Sequence, residues 1–188
     1  MARIAYVGVL PFATNPKTGE NYFLLGQEHA EEGWNDQNKW AHFGGGMEVT
    51  DKSPLFGSAR EAYEESMGFL GSLEEITSKL QDDLLLHQGT LYVYLMRIPY
   101  DPELPKTYKN VYEYFLRCAT PHPRKKGHFY IPSCPEGYFE KTAVGWFPTK
   151  ALNRLVSGKS WNAPGTPPPL RHGFDSILRK LFREFENL

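Results

Sequence analysis

Three glutamates, Glu61, Glu64 and Glu65, crowd the segment REAYEESMGF that runs from Arg60 to Phe69. On a helix each residue advances by about 100°, so the three carboxylates share a sector of roughly 100° on one face. Like charges three and four residues apart cost an isolated helix about 0.2–0.5 kcal/mol per pair, so a purely structural segment gains nothing from the arrangement. Carboxylates gathered on one rigid helix are hard oxygen donors, the donor type that divalent cations such as Mg²⁺ take from proteins. The neighbouring positions Leu55, Phe56, Ala59, Ala62, Tyr63, Ser66, Met67 and Leu70 form a nearly continuous apolar stripe, which predicts a core-facing helix with the acids turned outward. Ser53 followed by Pro54 fits an N-cap with proline in the first helical position, and Gly68 fits the helix end.

Several other elements must hold that helix. RIAYVGVLPF (3–12) and NYFLLGQEH (21–29) are β-branched and aromatic runs separated by turn residues, and they predict a hairpin. KWAHFGG (39–45) reads as a third strand running into glycines. SLEEITSKLQDDLLL (72–86) has helical periodicity, while GTLYVYLMRIPY (89–100), NVYEYFLRCAT (110–120) and TAVGWFP (142–148) read as strands. TKALNRLVSG (149–158) predicts a short helix, NAPGTPPP (162–169) an extended linker, and FDSILRKLFREFENL (174–188) a terminal amphipathic helix. No internal repeat is present.

The order of glycines, arginine and acids resembles the signature of the Nudix hydrolase superfamily, G-x(5)-E-x(7)-R-E-U-x-E-E-x-G-U, with U an aliphatic residue. GGGME (44–48) resembles its glycine-rich entry, and REAYEE (60–65) matches the central part at each position. Two departures are visible. Counting five residues past Gly45 reaches Asp51, with eight residues instead of seven before Arg60, and counting from Gly46 reaches Lys52; the first glutamate of the signature is therefore replaced by one or the other. Two residues, Ser66 and Met67, precede Gly68 where the signature has one.

The resemblance implies an α/β (α+β) fold, an α/β/α sandwich around a mixed sheet, and a metal-dependent pyrophosphohydrolase using Mg²⁺ or Mn²⁺. It implies that Glu64 and Glu65 are metal ligands, that Glu61 is a ligand or the base that takes a proton from attacking water, and that Arg60 holds one of the carboxylates. It also implies coordination by the Gly44 carbonyl and a further acid on a downstream loop, with Glu140 the first candidate and Glu136 the second. Glu48 could stand behind these as an outer acid or make a salt bridge. The resemblance spans residues 3–158 and leaves the C-terminal helical extension, 164–188, unexplained.

Composition narrows the classes. A chain of 188 residues with 40% hydrophobic and 14% aromatic content predicts one packed domain over 1–188. Twenty-one Lys and Arg against 22 Asp and Glu give no global field for a polyanion, so phosphate recognition must be local. The basic run HPRKKGH (122–128) is the one local candidate for phosphates or RNA, against the plainer reading of a solvated loop. Cys118 and Cys134 are too few for a structural zinc site and are expected to be reduced thiols. No run approaches the roughly 18 apolar residues of a membrane span, so a cytoplasmic protein with no membrane partner is the expectation. The expected substrate is a nucleotide-type diphosphate, because aromatics are plentiful and dense basic patches are not. Trp34, Trp40 and Tyr22 are candidate base-stacking residues or core residues, and His42 has no assigned role. Capped RNA as a substrate and a homodimer through the 174–188 helix are further expectations. The alternative is a non-catalytic nucleotide- or RNA-binding module on the same fold, suggested by the altered first acid.

Overall fold

The structure is a computed structural model and describes residues 5–30, 33–123 and 127–185 of the chain. The centre of the basic run, Arg124, Lys125 and Lys126, lies outside the described residues, as do positions 3–4 of the first expected strand and 186–188 of the last expected helix.

In chain order the elements are strands β1 (Tyr6–Thr14), β2 (Asn21–Glu28), β3 (Trp40–Ala41) and β4 (Phe43–Gly46), helices α1 (Pro54–Glu65) and α2 (Leu73–Lys79), and strands β5 (Leu85–Gln88) and β6 (Leu91–Arg97). Helix α3 (Leu104–Cys118), a ribbon of β7 (Thr120–Pro121) and β8 (Phe129–Tyr130), β9 (Lys141–Pro148), α4 (Thr149–Val156) and α5 (Phe174–Glu184) complete the chain. A seven-stranded mixed sheet joins most of the strands. β1 is its axis: it runs parallel to β6 on one side, and on the other it pairs antiparallel with β4 through Tyr6–Val9 and with β2 through Phe12–Thr14. β2 carries β9 and β3, and β6 carries β5.

Strand alternation sorts side chains to two faces. Val9, Leu24, Tyr94 and Met96 join the core under α1, α2 and α3. Leu10, Phe12, Phe23, Leu25, Val93 and Leu95 join the core under α4 and α5. The result is the expected α/β/α sandwich.

Three sequence expectations need correction. Residues 110–118 lie in α3, not in a strand, and only Thr120 of the expected run is in one, at the start of β7. The β-branched and aromatic residues suggested a strand, but Leu104, Tyr108, Tyr112, Phe115, Leu116 and Ala119 recur at helical spacing and pack on the first core. The helix expected over 72–86 stops at Lys79, because Leu85 and Leu86 are taken by the sheet through pairing with Tyr94 and Val93. The strand 39–45 is split at His42, β3 pairing with β2 and β4 with β1.

The extra residue between Glu65 and Gly68 is absorbed locally. Met67 adopts a left-handed conformation at φ 53°, followed by Gly68 at φ 76°. That conformation costs a non-glycine residue about 1–2 kcal/mol, which burial of the Met67 side chain offsets.

Candidate active site

Helix α1 starts where the sequence says it should. The Ser53 hydroxyl accepts the Phe56 N–H at 3.4 Å, and Pro54 occupies the first turn. The acids, however, do not all turn outward as the apolar stripe suggested: Glu61 is 8% exposed and Glu65 2%, while Phe56 from that stripe is 40% exposed. The face packed on the sheet is Gly57, Ser58, Glu61, Ala62 and Glu65, and it meets β1 and the glycines of β4. A Cβ on Gly45 would lie 2.9 Å from a Glu61 oxygen, so the glycine-rich strand is what makes room for the carboxylate.

Arg60 organises the outer side of the cluster. Its Nε and Nη2 donate to the two oxygens of Asp51, each at 3.1 Å, a bidentate charge-assisted pair. Nη1 donates to Glu64 at 3.2 Å and lies 3.6 Å from Glu48, and Nη2 lies 3.0 Å from Glu61 and donates to the Gly46 carbonyl at 3.2 Å. Asp51 also accepts the Glu48 N–H at 2.7 Å. Burial alone would push the Asp51 carboxyl up, but these donors bring it below its ordinary range. Of the two residues that could replace the missing glutamate, Asp51 thus sits in the cluster as the partner of Arg60, while the Lys52 ammonium lies over the Phe56 ring at 5.7 Å.

The inner side is built around a lysine that nothing in the sequence singled out. Lys141, the first residue of β9, is fully buried, with Nζ 2.6 Å from Glu28 and 3.2 Å from Glu65. The other Glu65 oxygen accepts the Gly44 N–H at 2.7 Å. Arg171, from the segment before α5, reaches Glu28 at 3.2 Å and the Tyr6 hydroxyl at 3.4 Å, and that hydroxyl donates to the Gly44 carbonyl at 2.8 Å. The Tyr108 hydroxyl bridges the backbone carbonyls of Glu65 and Lys141, 3.0 Å from each. The Lys141 ammonium is held protonated: burial disfavours its charge, but Glu65 and Glu28 outweigh that and its pKa rises. The pattern types that reveal helices and strands carry no signal for such a residue, since a lysine at a strand start is ordinarily solvated.

Glu140 belongs to the cluster. It follows a 3₁₀ turn, Glu136–Phe139, that packs on α1 so tightly that a Cβ on Gly137 would sit 2.9 Å from the Glu64 Cβ. Its charge raises the pKa of Glu61, Glu64 and Glu65, in each case after the larger effect of burial. Glu61 is raised to about 7, and Glu65 well above the ordinary carboxylate range despite Lys141. Glu136 is elsewhere, exposed and 3.8 Å from His122.

These residues suit a divalent cation in charge and donor chemistry. Among the described residues the ion pairs of Glu28, Glu48, Asp51, Glu61, Glu64 and Glu65 are with Arg60, Lys141 and Arg171, and after burial the neighbouring carboxylates add to the raised pKa of Glu61, Glu64 and Glu65. In detail the geometry is less complete. Among the described residues no three His, Cys, Asp or Glu side chains converge as a ligand set, and both Glu65 oxygens already have a partner.

The aromatic candidates are dispersed. Trp40 packs edge-on against Phe147 at 5.0 Å and Tyr22 against Tyr100 at 5.3 Å, whereas Trp34 lies beneath the Arg171 guanidinium at 5.7 Å. Both cysteines are free thiols. The apolar face of α5 is buried within the chain through Phe174, Leu178 and Leu181, so the pattern that suggested a self-association helix is accounted for by the core.

No family model matches the chain, and no curated protein matches it in sequence. Solved structures do match. The NUDIX domain of Shewanella oneidensis NrtR complexed with ADP ribose superposes with a TM-score of 0.52 at 11% identity, covering 97% of this chain and 88% of that one. A C. elegans Ap4A hydrolase binary complex gives 0.50 at 11% identity, covering 99% and 100%. A MutT/nudix family protein from Enterococcus faecalis gives 0.51 at 16% identity, covering 97% and 62%. The chain therefore has the Nudix fold.

Proposed function

We propose that this chain is a metal-dependent Nudix-type hydrolase of phosphoanhydride bonds, acting on a nucleoside diphosphate linked to another moiety. The single observation that supports it is the gathering of Glu61, Glu64, Glu65 and Glu140 where α1 meets the turn before β9: burial first, and then the charge of Glu140 among others, raises the pKa of Glu61, Glu64 and Glu65. The similarity to a domain solved with ADP ribose, and to a protein named an Ap4A hydrolase, favours a nucleotide substrate. When bound, Mg²⁺ or Mn²⁺ would neutralise the charge that develops on the diphosphate and lower the pKa of water.

The chain's own residues supply the rest. Glu61, Glu64, Glu65 and Glu140, with the Gly44 carbonyl, would hold the ion. Glu61 serves there either as a ligand or as the group that takes the proton from water. Arg60 fixes Glu61 and Glu64 through their short contacts and is itself aligned by Asp51. The Tyr6 hydroxyl donates to the Gly44 carbonyl and the Glu65 carboxylate accepts the Gly44 N–H, which pins the backbone on both sides of that residue.

A screen of nucleoside triphosphates, dinucleoside polyphosphates, nucleotide sugars, capped RNA and inositol pyrophosphates with Mg²⁺ and Mn²⁺ tests the assignment. Glu64→Gln should lower kcat on the best substrate by at least about a hundredfold with the fold intact by circular dichroism. Unchanged turnover in that variant, or none in the wild type, would overturn the hydrolase. A second reading, a non-catalytic nucleotide- or RNA-binding module, is favoured by one observation: Glu65 is engaged by Lys141 and the Gly44 N–H. It predicts nucleotide binding without turnover. The sequence supports taking residues 1–188 as one Nudix unit with a C-terminal extension from 164, and a cytoplasmic location; among the described residues no helix is long and apolar enough to cross a membrane. Capped RNA and a homodimer stand as further proposals.

A further inference from the structure

Lys141 has no part in the hydrolysis proposed above, yet the fold goes to some length to house it. It is the first residue of β9 and stands opposite Glu28 of β2, where the register between the two strands shifts. The side chain is wholly buried, and its stem crosses β2 at Gly26, where a Cβ would come within 2.9 Å of both Cγ and Cδ. A glycine at that position is what leaves room for the stem. The Tyr108 hydroxyl holds the lysine's backbone carbonyl as well. An ammonium so placed persists only because charges beside it compensate its burial.

Two carboxylates do this, and they depend on the lysine unequally. Nζ lies 2.6 Å from a Glu28 oxygen and 3.2 Å from a Glu65 oxygen. Glu28 has a second cation, Arg171, on the same oxygen at 3.2 Å. Among the described residues Glu65 has no other ion pair, and its remaining donor is the neutral Gly44 N–H on its other oxygen. Lys141 is thus the counter-charge of Glu65, but for Glu28 it is one of two. The Glu65 contact is also the longer of the lysine's two, and therefore the weaker.

Each Glu65 oxygen keeps a lone pair for a further partner, but the single negative charge of the carboxylate is already matched. An ammonium and a divalent cation on the same buried carboxylate repel each other at short range with little screening. Both cannot hold Glu65 at full strength, and Glu28 offers the ammonium a place to retreat to.

We infer that Lys141 competes with the divalent ion for Glu65 and so sets the affinity of the site. The ammonium bridges Glu28 and Glu65, and gives up Glu65 for Glu28 alone when the ion binds. The inference rests on the metal-dependent reading above, and adds to it a residue that keeps the acidic cluster folded without metal and weakens its grip on metal.

Mn²⁺ titration of the full chain, read from the paramagnetic resonance of the free ion, tests this without turnover. Lys141→Met should tighten Mn²⁺ by about tenfold or more. In the Glu65→Gln background the same substitution should change the affinity by less than about twofold, because the contested carboxylate is gone. A gain of equal size in both backgrounds would be a general field effect and would overturn the competition. The wild-type chain supplies a second measurement that needs no substitution. The NMR coupling across the hydrogen bond from Lys141 Nζ to the Glu65 carboxylate carbon should disappear in saturating Mg²⁺ while the coupling to Glu28 persists. A Glu65 coupling that survives beside bound Mg²⁺ overturns the inference, even if Lys141→Met does not fold. The outcome is separable from that of the substrate screen. Turnover with Lys141→Met binding Mn²⁺ like the wild type removes only the competition, tighter Mn²⁺ in Lys141→Met without any turnover removes only the enzyme, and no Mn²⁺ binding to either protein removes both.

Discussion

Two buried titratable residues, Glu65 under α1 and His42 under α5, sit on opposite faces of one sheet, and the protein treats them in opposite ways. Glu65 is surrounded by partners: Lys141, the Gly44 N–H and, through its backbone, Tyr108. His42 has ring contacts but no hydrogen bond to either nitrogen. A charge can be buried only when it is compensated, and its removal is then felt by every partner. A neutral imidazole can be buried uncompensated at the smaller cost of its unpaired polar atoms. The α1 face should therefore respond to changes of charge and pH, and the α5 face to changes of volume.

The largest expected effect comes from Lys141→Met. It leaves Glu28 and Glu65 buried against each other with one fewer cation, and should cost about 3–5 kcal/mol in urea unfolding. Adding Glu65→Gln to that variant should restore part of the loss. A loss below 1 kcal/mol would mean that the two carboxylates are not held by the lysine.

Next comes pH. Glu61 has an ordinary value of 4.5 and is raised to about 7 in the folded chain. Below 4.5 both states carry the proton and its contribution to stability is fully present. Between 4.5 and 7 only the folded state keeps it, so stability falls as pH rises through that window, by an amount on the order of 3 kcal/mol. Thermal melts in EDTA across this range should show the decline, and Mn²⁺ should reduce it by compensating the ionised form. A Leu178→Ala change on the α5 face should lower stability by the same amount at both ends of the window, which separates the two faces.

The smallest effect expected is that of Tyr108→Phe. Losing the hydroxyl that bridges the Glu65 and Lys141 carbonyls should cost about 1–2 kcal/mol by chemical denaturation. No measurable change would show that solvent replaces the bridge.

Much of the α1 region was legible before the structure. Ser53, Pro54 and the Glu61–Glu65 spacing are local features, set by residues within one or two turns of each other, and helix geometry converts that spacing directly into a shared sector. Glu140 was named only through the family resemblance, as an acid on a downstream loop, and no local spacing marked it. Residues 110–118 were not legible: side-chain shape favoured a strand, and only packing on the first core selects the helix. The orientation of the acids failed for a similar reason. An apolar stripe shows that one side of a helix is buried, but not that glycines across the interface leave room for carboxylates on that side.

The sequence by itself determined the acidic helix, its caps, the two-faced alternation of β1, β2 and β6, and the glycine-rich strand leading into α1. Each of these follows from a period or a backbone preference acting over a few residues. Only the tertiary structure decided that Lys141 would neutralise Glu65, that Asp51 would grip Arg60, that Arg171 would reach Glu28 across 143 residues of chain, and that His42 would line a cavity closed by α5. Charge compensation and cavity shape are properties of distances in space, and no local spacing encodes which distant side chain will arrive there.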